Sequence, residues 1–355
     1  MKKATGKRSR PARSSSTRAK PIRVAIIGAG GIASVHLPSL AEMDDVQIVA
    51  VCDIIESRAA KQADLYHIPR VYTLYKEMLA AEAGRCDAVF SLVEPGNLFH
   101  VAWNCLNAGF PTFMEKPPGI NLYQCQSLAR KSEESGLPLQ VGFNRRHIPV
   151  VRQVKDIMED ATTINLVEGC FYKYGSAAFD LGSVSSFESD VVHAVDLVRW
   201  LAGGTAEAAA TVAGSSDEPV LNRWSSVIRF DNGVTGVVKG NYRTGGRVHK
   251  FEVHGAALSA YINLGFGPAA CEATLLGHQG GVSYSLTARG AQEQAIQKLD
   301  GIALAGGDKF HRYYGFYYED RHFVDCVRSG QEPQPSIHDA VETMKLCEMI
   351  TRSVI

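Results

Sequence analysis

Residues 23–34 read Arg23-Val24-Ala25-Ile26-Ile27-Gly28-Ala29-Gly30-Gly31-Ile32-Ala33-Ser34, a short apolar run that breaks into glycines and then resumes with helical character. An apolar run without alternation is the mark of a strand buried on both faces, and Gly28, Gly30 and Ala33 fit the spacing G-x-G-x-x-G/A. Gly28 permits a tight turn, Gly30 has no Cβ to bar a diphosphate from the backbone, and Ala33 lets helix and strand pack closely. The free N–H groups and the positive end of that helix then favour the diphosphate. A glycine turn of this kind also occurs without a ligand, so its surroundings matter. A second apolar run, residues 46–52, ends in Asp53, about 20 residues past the glycines, where an acidic side chain binds the ribose hydroxyls of adenosine. A strand-end cap is the other use for Asp53. The whole unit predicts NAD; because Asp53 repels a 2′-phosphate, NADP is the lesser alternative, kept open by Arg58 nearby.

Outward from this unit, helices and strands keep alternating. The pattern predicts a helix over 56–66, a short strand and a helix within 70–81, a buried strand at 86–93, a turn at 94–97 and a helix over 100–108 stopped by Gly109. A strand at 111–114, a helix over 122–135 and a strand at 139–143 follow. Such repetition implies a doubly wound parallel sheet of the Rossmann kind, with right-handed crossovers and helices on both faces. Ligands sit beyond the carboxyl ends of such strands, and the loops 94–97, 115–118 and 144–146 all fall at that edge.

Past Arg146 the pattern changes. A helix over 150–159, a strand over 164–172 and a helix over 189–201 precede β-type runs at 206–213, 223–230, 234–242, 249–254 and 259–263. Asp231-Asn232-Gly233 reads as a hairpin turn between two of them. These runs predict an α+β domain with a large, mostly antiparallel open sheet, one face under helices and the other against a second subunit or water. Residues 277–307 are too glycine-rich to assign beyond loop with short strands, and helices over 314–327 and 337–354 should pack back on the body. The division expected is a disordered basic tail (1–20), a dinucleotide-binding domain (21–145) and a substrate-binding and oligomerisation domain (146–355).

The 355 residues, 45% hydrophobic, suffice for a large core. Basic and acidic side chains number 37 each, but the first 20 residues hold eight of the basic ones and no acid. The remaining 29 against 37 is unlike the footprint of a nucleic-acid binder. The basic opening lacks an apolar centre, so it reads as neither secretory signal nor membrane span. Eight cysteines, scattered without C-x-x-C or His-Cys clustering, read as reduced thiols of a cytoplasmic protein with no bound metal.

Two places carry candidate chemistry. Lys116 sits between Glu115 and the rigid Pro117-Pro118 pair after a buried strand, which fixes its backbone and lets its ammonium enter the cleft. On the helix over 189–201, spacings of three bring Asp190, His193 and Asp196 along one side. A carboxylate beside an imidazole fixes its tautomer and stabilises its protonated form, as an enzyme needs when a substrate hydroxyl loses its proton. The bland alternative is a capped helix whose polar groups only satisfy one another.

The sequence resembles the glucose-fructose oxidoreductase, inositol dehydrogenase and rhizopine-catabolism (Gfo/Idh/MocA) group of NAD(P)-dependent dehydrogenases from about residue 22 onward. The marks are residues 28–33 with His36, then Pro95, Asn97 and His100, Glu115-Lys116-Pro117, Gly142-Phe143-Asn144-Arg145-Arg146, and His193-x-x-Asp196 running into Arg199-Trp200-Leu201-Ala202-Gly203. The resemblance implies hydride transfer at a ring carbon of a sugar or cyclitol, and a homodimer or homotetramer formed through the C-terminal sheet. Lys116 and His193 match its catalytic lysine and histidine, with catalytic Asp190 or else Asp196 as the carboxylate that orients His193. Arg145, Asn144 and Asp196 are the expected substrate contacts. Gly28, Gly30, Gly31, Ile32, Ala33, Asp53, Glu94, Asn97, His100, Glu115 and Lys116 are the expected cofactor contacts. One departure matters: many members place an aspartate four residues before the histidine, where this chain has Ser189. Two other readings stay open, an NAD-retaining glycosidase or lyase that works by transient oxidation, and a non-catalytic sugar or nucleotide sensor.

Overall fold

The computed structural model describes residues 20–177, 185–265, 267–277 and 294–355; the basic tail before residue 20 and much of the unassigned 277–307 stretch lie outside them. The first half runs β1 (Ile22–Ile27), α1 (Ala33–Ala41), β2 (Val46–Cys52), α2 (Glu56–Tyr66), β3 (Val71–Tyr72), α3 (Tyr75–Glu82), β4 (Ala88–Ser91), α4 (Pro95–Asn107), β5 (Thr112–Met114), α5 (Leu122–Ser135) and β6 (Leu139–Val141). The six strands form one parallel sheet in the order β3-β2-β1-β4-β5-β6. Successive residues of a strand point to opposite faces, and here both faces are covered. Val24 and Ile26 enter one core while Ala25 and Ile27 enter the other. The strand order reverses between β1 and β4, which opens a crevice above their carboxyl ends.

A 3-10 turn (Asn144–His147) and α6 (Pro149–Ala161) lead into the second half. There β7 (Ile164–Tyr174), a π-helical turn (Phe187–Val191), α7 (Val192–Ala202), β8 (Ala206–Gly214), β9 (Arg223–Phe230), β10 (Thr235–Asn241), β11 (Arg243–Gly255), β12 (Leu258–Leu264), β13 (Cys271–Gly277) and β14 (Gln294–Asp300) follow. The eight strands make one sheet, β14-β13-β12-β11-β7-β10-β9-β8, in which only β7 and β10 run parallel. Alternation along β9 turns Trp224, Ser226, Ile228 and Phe230 inward. The helix α7 lies flat on this inner face: a Cβ on Gly169 of β7 would stand 2.8 Å from Val198. The outer face holds polar pairs such as Glu168 with Lys239, beside half-exposed Val227 and Tyr261. The strand β11 begins six residues before the apolar run at 249–254, because its first half is exposed and charged and so gave no apolar signal.

Four helices finish the chain: α8 (Gly301–Leu304), α9 (Phe310–Tyr313), α10 (Phe316–Ser329) and α11 (Ile337–Arg352). The helix α10 packs on α1 and puts Phe323 and Val324 into the same core as Val24, Ile26 and Leu37. The helix α11 sits on α5 and α7. All eight cysteines are free and seven are buried, and no described helix is long and apolar enough to cross a membrane.

Candidate active site

The glycine turn leaves β1 where the sequence places it. Gly28 has φ +99°, and a Cβ there would strike the Leu92 carbonyl oxygen at 2.4 Å, so only glycine fits. A Cβ on Gly30 or Gly31 would meet nothing within 4 Å, which leaves the backbone open to a ligand. No side chain caps the first turn of α1. Asp53 closes the loop from β2: one carboxylate oxygen accepts from Ala29 N and the other from Ile55 N, each at 2.8 Å. Each oxygen keeps a lone pair for a ribose hydroxyl. This cradle of bare backbone, uncapped helix and carboxylate fits NAD.

Lys116 leaves the end of β5 and reaches across to the second half, where its Nζ donates to the Ser189 carbonyl oxygen at 2.9 Å. The acceptor lies in the π-helical turn, a wide turn that recurs at functional sites. The Ser189 hydroxyl is buried without a partner. Asp190, one residue on, accepts from Lys173 and from the Tyr242 hydroxyl at 2.8 Å. Burial would raise this carboxyl, but Lys116 and Lys173 outweigh it and hold its pKa at about 2.

His193 lies one turn further along, 7% exposed, with Nδ1 unpartnered. Burial, then the charges of Arg145 and Lys116, push its pKa well below the usual value, so the ring is neutral. On β11, His249 stacks on Phe171 at 4.1 Å and leaves Nε2 unpartnered; burial and Arg145 push it down to about 2. The Arg145 guanidinium stands over the rings of Phe171 and Tyr314, at 5.4 and 5.8 Å, with Nε unpartnered.

Several expected contacts are used otherwise. Asp190 does not hold the His193 Nδ1, since that atom has no partner and the carboxylate is taken by Lys173 and Tyr242. Asp196, 1% exposed, accepts from Arg146 at 2.5 and 2.7 Å and from Thr343 at 2.8 Å, so it is a buried brace and neither orients His193 nor reaches a substrate. Asn144 donates to the Tyr314 carbonyl oxygen at 2.9 Å and is 3% exposed, another brace. The Glu115 carboxylate also turns inward: one oxygen lies 3.1 Å from His36 Nε2 and the other accepts from Lys116 N at 3.1 Å. His36 Nδ1 in turn lies 2.7 Å from Asp320. Glu94, Asn97 and His100 stay exposed at the mouth of the crevice, with Asn97 donating to Glu94 at 2.8 Å.

Sequence reading missed Lys173, Tyr242 and His249. Lys173 shares the inner face of β7 with Phe171, and a lysine at an inward position of an alternating strand was the available signal. Nothing local marks Tyr242 or His249, whose roles arise from strand pairing.

A turn open to a dinucleotide at the switch point of a parallel sheet, and a lysine bonded to the turn that leads into the helix of a neutral histidine, are features of a nucleotide-dependent oxidoreductase. Comparison with known proteins agrees. The profile described as "Oxidoreductase family, NAD-binding Rossmann fold" matches residues 22–143, and that of the GFO/IDH/MocA C-terminal domain matches residues 189–260. The chain therefore belongs to the Gfo/Idh/MocA family of NAD(P)-dependent oxidoreductases, and its first domain binds NAD. Among its relatives, inositol 2-dehydrogenase of Salmonella paratyphi B is 29% identical over 51% of this chain and 54% of its own. D-apiose dehydrogenase of Paraburkholderia graminis is 25% identical over 94% of this chain and 87% of its own. A solved oxidoreductase from Agrobacterium radiobacter, in complex with NAD+, L-tartaric acid and magnesium, shares the fold at TM-score 0.77 and 19% identity, covering 94% of this chain and 96% of its own.

Proposed function

We propose that this protein oxidises or reduces a ring hydroxyl or carbonyl of a sugar or cyclitol, with Lys116 and His193 as its catalytic residues. The names of the inositol and D-apiose dehydrogenases support the substrate class. One observation carries the reading: Lys116 from the first sheet bonds the turn that opens the helix of His193, so an ammonium lies within electrostatic range of a neutral imidazole. NAD, when bound, supplies the hydride acceptor. Neutral His193 takes the hydroxyl proton, and the Lys116 ammonium stabilises the developing alkoxide. Lys116 holds that position because its backbone N–H is fixed by Glu115 and its ammonium by the Ser189 carbonyl. The outer face of the second sheet is the surface on which a dimer or tetramer would form.

The test is NADH formation with a panel of cyclitols, pentoses, hexoses, amino sugars and uronic acids. At least one should turn over. With that substrate Lys116→Ala should lose about 10²- to 10⁴-fold in kcat while keeping its affinity for NAD, read by fluorescence titration with NADH. Normal turnover in the variant removes the lysine from the chemistry.

A further inference from the structure

Arg145 and Arg146 are neighbours with opposite surroundings. Arg146 is held by two carboxylates, Asp196 and Asp339. Arg145 is as deeply buried, 3% exposed against 2%, yet it makes no ion pair among the described residues. Among the described residues its guanidinium rests on the faces of Phe171 and Tyr314, and its buried Nε has no acceptor. Ring faces offset part of the cost of burying a cation, but a guanidinium without an anion remains expensive.

The groups around it share that incompleteness. His249 lies on the same Phe171 ring, its Nδ1 3.3 Å from the Tyr314 hydroxyl and its buried Nε2 without a partner. The Ser189 hydroxyl and His193 Nδ1 are buried and unpartnered as well. Lys173 also stands over Phe171, but Asp190 already balances it. Lys116 is reserved for the reacting oxygen in the reading above. The Arg145 guanidinium is therefore a buried cation with no carboxylate partner among the described residues, on a planar fork suited to one.

We infer that the substrate carries a carboxylate, seated on the Arg145 guanidinium with His249 Nε2 beside it: the ligand is a uronic acid or related sugar acid rather than a neutral sugar. This inference rests on the function proposed above. A neutral polyol would satisfy the unpartnered nitrogens but would leave the guanidinium without a counter-charge. A phosphate monoester brings nearly two negative charges, and glucose 6-phosphate is the probe that separates it from a carboxylate.

Calorimetric titration of the NADH-loaded protein with D-glucose against D-glucuronate, D-galactose against D-galacturonate, and glucose 6-phosphate tests it without needing turnover. In at least one pair the acid should bind about 10- to 100-fold more tightly than its neutral partner, the range for a hydrogen-bonded charge pair. Arg145→Gln should abolish that preference and Arg145→Lys should retain part of it, with melting temperatures showing both variants folded. Equal or better binding of both neutral sugars, a preference that survives Arg145→Gln, or tighter binding of glucose 6-phosphate than of either acid overturns the inference. Arg145-dependent binding of an acid with no NADH formed from any sugar would instead sink the dehydrogenase reading alone.

Discussion

Two clusters of buried histidine and charge lie on either side of the Glu115–Lys116 peptide bond, and they behave in opposite ways. In the first, His36 is fully buried between Asp320 and Glu115, with Glu319 close by. Burial alone would lower the His36 pKa, but the two carboxylates more than reverse it and hold it well above the usual value. In the second, His193 and His249 have cations for neighbours, and burial and charge act together to keep both rings neutral. In the first cluster both nitrogens of the histidine are satisfied by carboxylates of the protein, and Glu115 fixes the backbone from which Lys116 departs. The second leaves polar atoms waiting for a ligand. The same residue type becomes a structural cation or a neutral ring according to the sign of the charges around it.

The comparison breaks most sharply at His36. His36→Leu leaves Asp320 and Glu115 buried without their cation, and should cost about 3–5 kcal/mol of stability in urea unfolding. A loss below about 1 kcal/mol would mean that the first cluster is not held by charge. His193→Asn should do the reverse, with turnover falling about 100-fold or more and unfolding free energy moving by less than about 1 kcal/mol, since no bond to Nδ1 is broken. Equal stability losses at the two histidines would erase the distinction. The smallest effect is expected at Glu319, whose two carboxylate oxygens are buried and unpartnered. Burial, reinforced by Glu115 and Asp320, pushes its carboxyl well above its usual value. The folded protein thus keeps a proton there that the unfolded chain releases, so this group's stabilisation is present at acid pH and is lost as pH rises toward the folded value. Melting temperatures between pH 5 and pH 9 should decline less steeply for Glu319→Gln than for the wild type. An unchanged slope would show that Glu319 is ionised in the fold.

The first half of the fold could be read almost residue by residue, because a parallel sheet buried on both faces writes itself as apolar runs and its ligand turn as glycines. The second half was legible in its hydrophobic stretches but not at its edges, as with the exposed start of β11. The site was half legible. Lys116 and His193 stand in local motifs, and Lys116 bonds the turn that leads into the helix of His193. The spacing of three that placed Asp190 and Asp196 beside His193 assumed a regular helix and free carboxylates. The chain instead widens into a π-helical turn at Phe187–Val191, and both carboxylates are taken by cations from other segments, Lys173 and Arg146. Such partners sit up to 50 residues away and leave no trace in the local pattern.

The docking of α10 on the first sheet has a consequence for how the molecule is made. Synthesis proceeds at roughly 5–20 residues per second, so the six-stranded sheet emerges from the ribosome roughly 10–40 s before Asp320, Phe323 and Val324. During that interval His36 lacks one of its two carboxylates and the core beside Leu37 lacks a wall. The nascent first domain is thus an unfinished, sticky intermediate, and a fragment ending near residue 145 should need a chaperone that the complete chain can release.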